Sequence, residues 1–223
     1  MNSGRAAAEA STEQAHSGRW SAKLTIVTPN SPTSGARMFR WTEARANRSL
    51  YYSVWVYIPT YYSLTGDGSH GRFWLLLQFK SRSADDSRND PVWGFYVDDP
   101  DRGQYYLKAG WGWGGTRLAG PHSGDGVGGK FYQQMVAQLA VGQWVHLEAL
   151  LKQSSGFDGQ LTLWQDGVML FDFHNVRTSY NNCNYNSWCA DNEWSINMYS
   201  DGLSPNPSVI YIDDAKISTG YVD

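Results

Sequence analysis

The chain has 223 residues, of which 17 % are charged, and a net charge of −3, so it shows neither a basic nucleic-acid footprint nor an acidic tail. No run approaches the ~18 apolar residues that a membrane-spanning helix needs. Eleven Trp and fourteen Tyr exceed what one core of this size requires, which predicts exposed rings suited to the C–H faces of sugars.

In chain order, residues 1–12 are small and polar and predict a loose N-terminal arm ahead of a single domain over 13–223. Short period-2 segments separated by Gly, Pro, Asn and Asp then predict strands at Trp20–Val27, Ala36–Trp41, Tyr51–Ile58, Phe73–Lys80, Val92–Val97 and Tyr105–Ala109. Gly124 to Lys130 mimics a phosphate loop, but Phe131 stands where a Ser or Thr is needed, so the stretch reads as a glycine-rich loop. Lys130–Leu139 carries Phe131, Met135 and Leu139 at i, i+4 spacing and reads as a short helical turn at most. Strands resume at Trp144–Lys152, Gln160–Gln165, Val168–Phe173, Trp194–Tyr199 and Val209–Ile217. Between two of them, Asp166-Gly167 supplies the positive φ values of a tight hairpin. The pattern is that of an all-β sandwich or barrel.

Alternation assigns side chains to faces. In Tyr51–Ile58 the core set is Tyr52, Val54, Val56 and Ile58, which leaves Trp55 and Tyr57 opposite. In Phe73–Lys80 the same rule sets Trp74, Gln78 and Lys80 apart from Leu75, Leu77 and Phe79. Val145, Leu147 and Ala149 leave His146 and Glu148 outward, while Ile196 and Met198 leave Asn197 and Tyr199. This second face of aromatics mixed with amides and charges predicts a polysaccharide-binding groove, bordered by Trp111 and Trp113 on a loop.

Trp144-Val145-His146-Leu147-Glu148, followed by Asp158-Gly159-Gln160-Leu161-Thr162-Leu163-Trp164-Gln165-Asp166-Gly167, resembles a passage of concanavalin A-like sandwiches. The segments Ser11–Leu24 and Ile210–Ile217 resemble the opening and the last strand of jelly-roll carbohydrate-binding modules. The resemblance implies an all-β, two-sheet antiparallel jelly-roll sandwich of the concanavalin A-like kind. A closer resemblance, though looser in detail, is to the jelly-roll polysaccharide lyases of the alginate- and heparin-lyase kind, whose order is Arg-x-Glu-x-Arg, then Gln-x-His, then a strand bearing a catalytic Tyr. Here Trp41-Thr42-Glu43-Ala44-Arg45, Gln78-Phe79-Lys80 and Asn197-Met198-Tyr199 follow in that order. Trp41 replaces the first Arg and Lys80 the His, and the family's Lys-Ala-Gly does not precede Tyr199. That triplet occurs instead mid-chain as Lys108-Ala109-Gly110, where it reads as a coincidental strand.

Lyase chemistry, β-elimination from a uronic acid, requires a neutralised carboxylate, a base at C5 and an acid at the leaving oxygen. The resemblance implies Arg45, Gln78 and Lys80 on the carboxylate and Tyr199 as base and acid. Hydrolysis is disfavoured, because it needs a pair of flanking carboxylates and the chain has five Glu and no clustered acidic strand. A structural Ca²⁺ is expected between Glu13 and an inward Asp213, and a small-loop disulfide between Cys183 and Cys189, which implies a secreted, extracellular chain. The leading expectation is a monomeric, non-catalytic polysaccharide-binding domain with no nucleic-acid or membrane partner. A polysaccharide lyase is the alternative, and a laminin-G-like protein-binding domain the third reading.

Overall fold

Period-2 alternation of β-branched, aliphatic and aromatic residues with polar ones fits a pleated surface with one dry face, and it runs through most of this chain. The structure, a computed structural model, describes residues 4–28, 34–40, 49–66, 72–81, 91–100, 102–112, 130–154, 156–179 and 192–222. The strands are β1 Arg5–Ser11, β2 Ser21–Val27, β3 Ser34–Arg40, β4 Ser49–Tyr57, β5 Ser63–Leu64, β6 Trp74–Ser81, β7 Val92–Asp98 and β8 Tyr105–Gly112. They continue as β9 Lys130–Leu139, β10 Trp144–Lys152, β11 Gly159–Gln165, β12 Val168–Val176, β13 Asn192–Ser200, β14 Leu203–Ser204 and β15 Ser208–Ser218.

Two large antiparallel sheets result. One runs β1-β2-β15-β4-β10-β11-β12 and the other β3-β13-β6-β7-β8-β9, with β14-β5 as a small separate ladder. This is the two-sheet jelly-roll sandwich that the resemblance implied. Val54, Val56, Leu147, Leu161, Ile210 and Ile212 of the first sheet share one core with Leu77, Phe79, Phe95, Leu107, Ile196 and Met198 of the second. Each such side chain contributes roughly 1.5–3 kcal/mol by leaving water. Asp166 and Gly167 take φ values of 48° and 76°, so the β11–β12 hairpin turns as the Asp-Gly pair predicted.

Two local expectations are corrected. Residues 5–11 are not a loose arm: β1 pairs with β2 along its whole length, Arg5 opposite Val27 and Ser11 opposite Ser21. Alternation is invisible there because β1 is an edge strand with little burial on either face. Lys130–Leu139 is a strand and not a helical turn. Its register against β8 shifts, and Gln134 Oε1 accepts from the backbone N–H groups of Val136 and Ala137 at 2.7 and 3.0 Å. The bulge throws Met135 and Val136 into solvent, and Phe131 is exposed as well, so the apparent helical spacing marks no buried stripe.

Candidate active site on the six-stranded sheet

Bulges decide which side chains leave the core. In β6 the register against β7 slips between Leu75 and Leu77, so Trp74, Leu76, Leu77 and Phe79 all enter the core. Strict alternation placed Trp74 on the polar face, yet it is fully buried, with its ring edge-on to Tyr105 at 5.6 Å. Gln78 and Lys80 do reach the outer face. On β13, Trp194, Ile196 and Met198 go to the core, which leaves Glu193, Ser195, Asn197 and Tyr199 outward.

The rungs across this face bring distant segments together. Arg37 lies opposite Asn197, and Gly35 opposite Tyr199. Glu193 lies opposite Lys80, Ser195 opposite Gln78, and Tyr199 opposite Leu75. On the other side of β6, Gly94 is opposite Gln78 and Tyr96 is opposite Leu75, while Lys108 is opposite Tyr96 and Gly110 opposite Gly94. Tyr199 and Tyr96 therefore flank the same residue of β6 from its two neighbouring strands.

Both rings lie low over the sheet because glycines beneath them leave room. A Cβ on Gly35 would come within 2.6 Å of the Tyr199 ring, and one on Gly94 or Gly110 within 2.7 Å of the Tyr96 ring. The Arg37 guanidinium sits 4.0 Å from the Tyr199 ring centroid, and Phe73 packs edge-on to the same ring at 5.0 Å. Burial, with the Tyr199 charge adding, pushes the Tyr96 phenol above its ordinary range. Lys80 Nζ lies 3.8 Å from Oε1 of the buried Glu193. Burial holds the Lys80 ammonium below the usual lysine range, Glu193 opposing and Arg37 adding.

Two amides complete the face. Asn197 is fully buried, and its Nδ2 donates to Ser195 O and Ser195 Oγ at 3.1 Å each. Its Oδ1, and Oε1 of the buried Gln78, have no hydrogen-bond partner among the described residues. A buried acceptor so placed is costly unless a donor reaches it.

The other expected groove residues lie elsewhere. Trp55, Tyr57, His146 and Glu148 belong to the seven-stranded sheet and emerge on the opposite outer face of the sandwich. There His16 stacks on Trp55 at 3.8 Å and Trp55 on His146 at 4.9 Å, while Ser53 Oγ meets His146 Nε2 at 2.7 Å. Glu148 is buried, and its Oε1 accepts from Val222 N–H at 2.8 Å, which ties down the C-terminal segment. The sequence-predicted groove thus divides between two faces. Arg45, Trp113, Cys183 and Cys189 lie outside the described residues, and of Trp111 only the backbone position in β8 is described.

Glu13 and Asp213 are both engaged by protein donors. Glu13 takes Lys23 Nζ at 2.7 and 2.9 Å and the Tyr211 hydroxyl at 2.5 Å. Asp213 Oδ2 accepts from His16 N–H and Ser17 N–H at 2.8 and 3.2 Å. Asp213 does not point inward: the β15 register breaks after it, with Asp214 at φ 48°, and Asp213 lies opposite Trp55 on the outer face. No group of three or more His, Cys, Asp or Glu placed to hold a metal occurs among the described residues.

Sequence reasoning missed Arg37, Tyr96, Lys108, Glu193 and Ser195. Arg37 between Ala36 and Met38, and Tyr96 between Phe95 and Val97, already had the right parity. The mid-chain Lys108-Ala109-Gly110 lies in strand β8, where Lys108 and Gly110 border Tyr96 on this face.

In fold the chain is similar to the endo-β-1,4-glucuronan lyase of the fungus Trichoderma reesei, with a TM-score of 0.63, 12 % identity and coverage of 97 % of this chain and 88 % of that one. The marine alginate lyase of Aplysia kurodai follows with a TM-score of 0.58, 12 % identity and coverage of 96 % and 87 %. The alginate lyase of a Chlorella virus gives 0.57, 12 % and coverage of 95 % and 89 %. No curated protein matches the chain by sequence. The polysaccharide lyase family model matches residues 3–216, nearly the whole chain, and the chain therefore belongs to the polysaccharide lyase family.

Proposed function

We propose that this protein is a polysaccharide lyase that cleaves a uronic-acid-containing glycan by β-elimination on the outer face of the six-stranded sheet. The observation that carries the reading is the meeting of Tyr199 and Tyr96 across Leu75, on a face that also presents Arg37 and Lys80. Family membership favours this reading over the non-catalytic binding domain expected from the sequence.

In the proposed reaction Arg37 and Lys80 face the uronate carboxylate and offset the charge that builds there as the C5 proton leaves. The Tyr199 oxygen takes that proton. The C4=C5 double bond forms as the C4–O4 bond breaks, and the Tyr96 phenol, held protonated by its burial, gives its proton to O4. Gln78 and Asn197 accept from sugar hydroxyls and set the ring over the tyrosines. The carboxylates of this face, Glu193 and Asp98, are each paired with a lysine, which leaves no free flanking pair for hydrolysis among the described residues.

The test is ultraviolet absorbance of the new conjugated double bond during incubation with alginate, glucuronan and heparin. One substrate should give a rise, and Tyr199→Phe should lower the rate by ~10²–10⁴-fold, the range for removing a general acid–base group. The ring's contacts with Arg37 and Phe73 survive that change, so the melting temperature should hold. Retention on these polymers without any rise, or full activity in the Phe variant, overturns the reading.

A further inference from the structure

At the end of β7 and the start of β8, the site face opens into a cleft of about 510 Å³. It is lined by Tyr61, Arg72, Asp98, Asp99, Arg102 and Lys108, with Ser63 and Leu64 of β5 along its wall. Lys108 lies opposite Tyr96 and Asp98 two residues along the same strand, so the cleft adjoins the proposed active site.

The charges within the cleft are unequal. Asp98 accepts from Lys108 Nζ at 2.8 Å and from Gln133 Nε2 at 2.9 Å. Asp99 accepts from the Tyr61 hydroxyl and from Gly103 N–H, the latter at 2.8 Å. Both acids are thereby engaged by donors of the fold. Arg72 and Arg102 line the cleft and have no ion pair and no side-chain hydrogen bond among the described residues. Both also hold φ near +48°, at 47° and 48°, a region that side chains seldom adopt and that gathers at ligand clamps. Tyr61, stacked on Tyr105 at 5.1 Å, gives the wall a rigid aromatic surface, and burial followed by the Asp99 charge pushes its phenol up to about 12, so it remains a donor.

We propose that this cleft is a second anionic subsite, in which Arg72 and Arg102 hold the carboxylate of a uronic-acid unit distant from the bond that is cleaved. A planar guanidinium matches a carboxylate through two parallel N–H···O bonds, which a neutral sugar cannot return. The proposal rests on the lyase reading for its polymer class, but it concerns binding and is tested without turnover.

The experiment is affinity electrophoresis through gels containing alginate or glucuronan, or the same polymers with their carboxylates reduced to alcohols. Wild-type protein is compared with Arg72→Asn/Arg102→Asn, asparagine being chosen because it tolerates positive φ. Arg19→Asn, on the segment before β2 in the other sheet, is the charge control. The double variant should lose about tenfold in affinity for the polyuronate, a typical effect of removing charged hydrogen bonds. It should bind the reduced polymer as wild type does. Unchanged affinity for the polyuronate, an equal loss on the reduced polymer, or an equal loss in the Arg19 control overturns the proposal. Should the asparagine pair melt early, Arg72→Lys/Arg102→Lys keeps the charge without the fork, with a loss of about threefold expected and no loss overturning it. Because binding is the readout, a protein that binds through the arginines yet yields no unsaturated product would refute the lyase reading and leave the subsite standing.

Discussion

Gly94→Ala separates the proposed chemistry from stability. A Cβ at this position would lie 2.7 Å from Tyr96 Cε2 and 2.9 Å from both Cζ and the hydroxyl oxygen, where ordinary contact begins at 3.4 Å. The ring must retreat by ~0.7 Å, and its far end is free to do so without moving the backbone. Gly94 is not among the positive-φ residues, so alanine suits the strand and gains up to ~1 kcal/mol of backbone entropy. Melting should therefore change by no more than about 3 °C for a chain of this length. The Tyr96 hydroxyl, displaced from the leaving oxygen by nearly an ångström, should lower kcat by roughly 10–100-fold. The assay is the rate of unsaturated-product formation at saturating polyuronate, with a melting curve of each protein. Activity within twofold of wild type would remove Tyr96 from the proposed reaction. A loss of activity matched by a large fall in melting temperature would show that the glycine serves packing.

Three further outcomes follow from where the aromatic and imidazole groups lie. Trp74→Ala should cost about 3–5 kcal/mol in chemical denaturation, because the ring is fully buried between the sheets; Trp55→Ala, on the opposite face, should leave turnover of a polyuronate unchanged, and a fall in turnover with the fold intact would contradict the assignment of the site to the six-stranded sheet. Burial holds the His146 imidazole below its ordinary 6.5, with His16 and Lys216 adding and Asp166 opposing, so the unfolded chain binds that proton more tightly than the native one. This contribution to stability is complete above about pH 6.5 and is lost as the pH falls through the native value. Melting curves of wild type and His146→Asn across that window should converge on acidification, and parallel curves would refute the reasoning.

Much of the architecture was legible in the residues. Alternation located strands such as Tyr51–Ile58 and Trp144–Lys152, and Asp166-Gly167 marked its hairpin, because these signals are local and are set by the pleat and by φ. The lyase likeness of Gln78, Lys80 and Tyr199 pointed to three residues that do share one face. Trp74 was misplaced because a bulge shifts parity without altering composition, and the same slip in β15 turned Asp213 outward. Edge strand β1 escaped notice because it buries too little to alternate.

What the sequence by itself determined was the set of short amphipathic segments, their turns, and a surplus of rings and amides on their polar sides. It could not say which polar sides belong together. A sandwich has two outer faces, and alternation looks the same on both. Only strand order decided that Trp55 and His146 stack on one face while Lys80, Gln78 and Tyr199 gather on the other. Only cross-strand pairing, a long-range property with no local signature, brought Arg37, Tyr96 and Lys108 beside them.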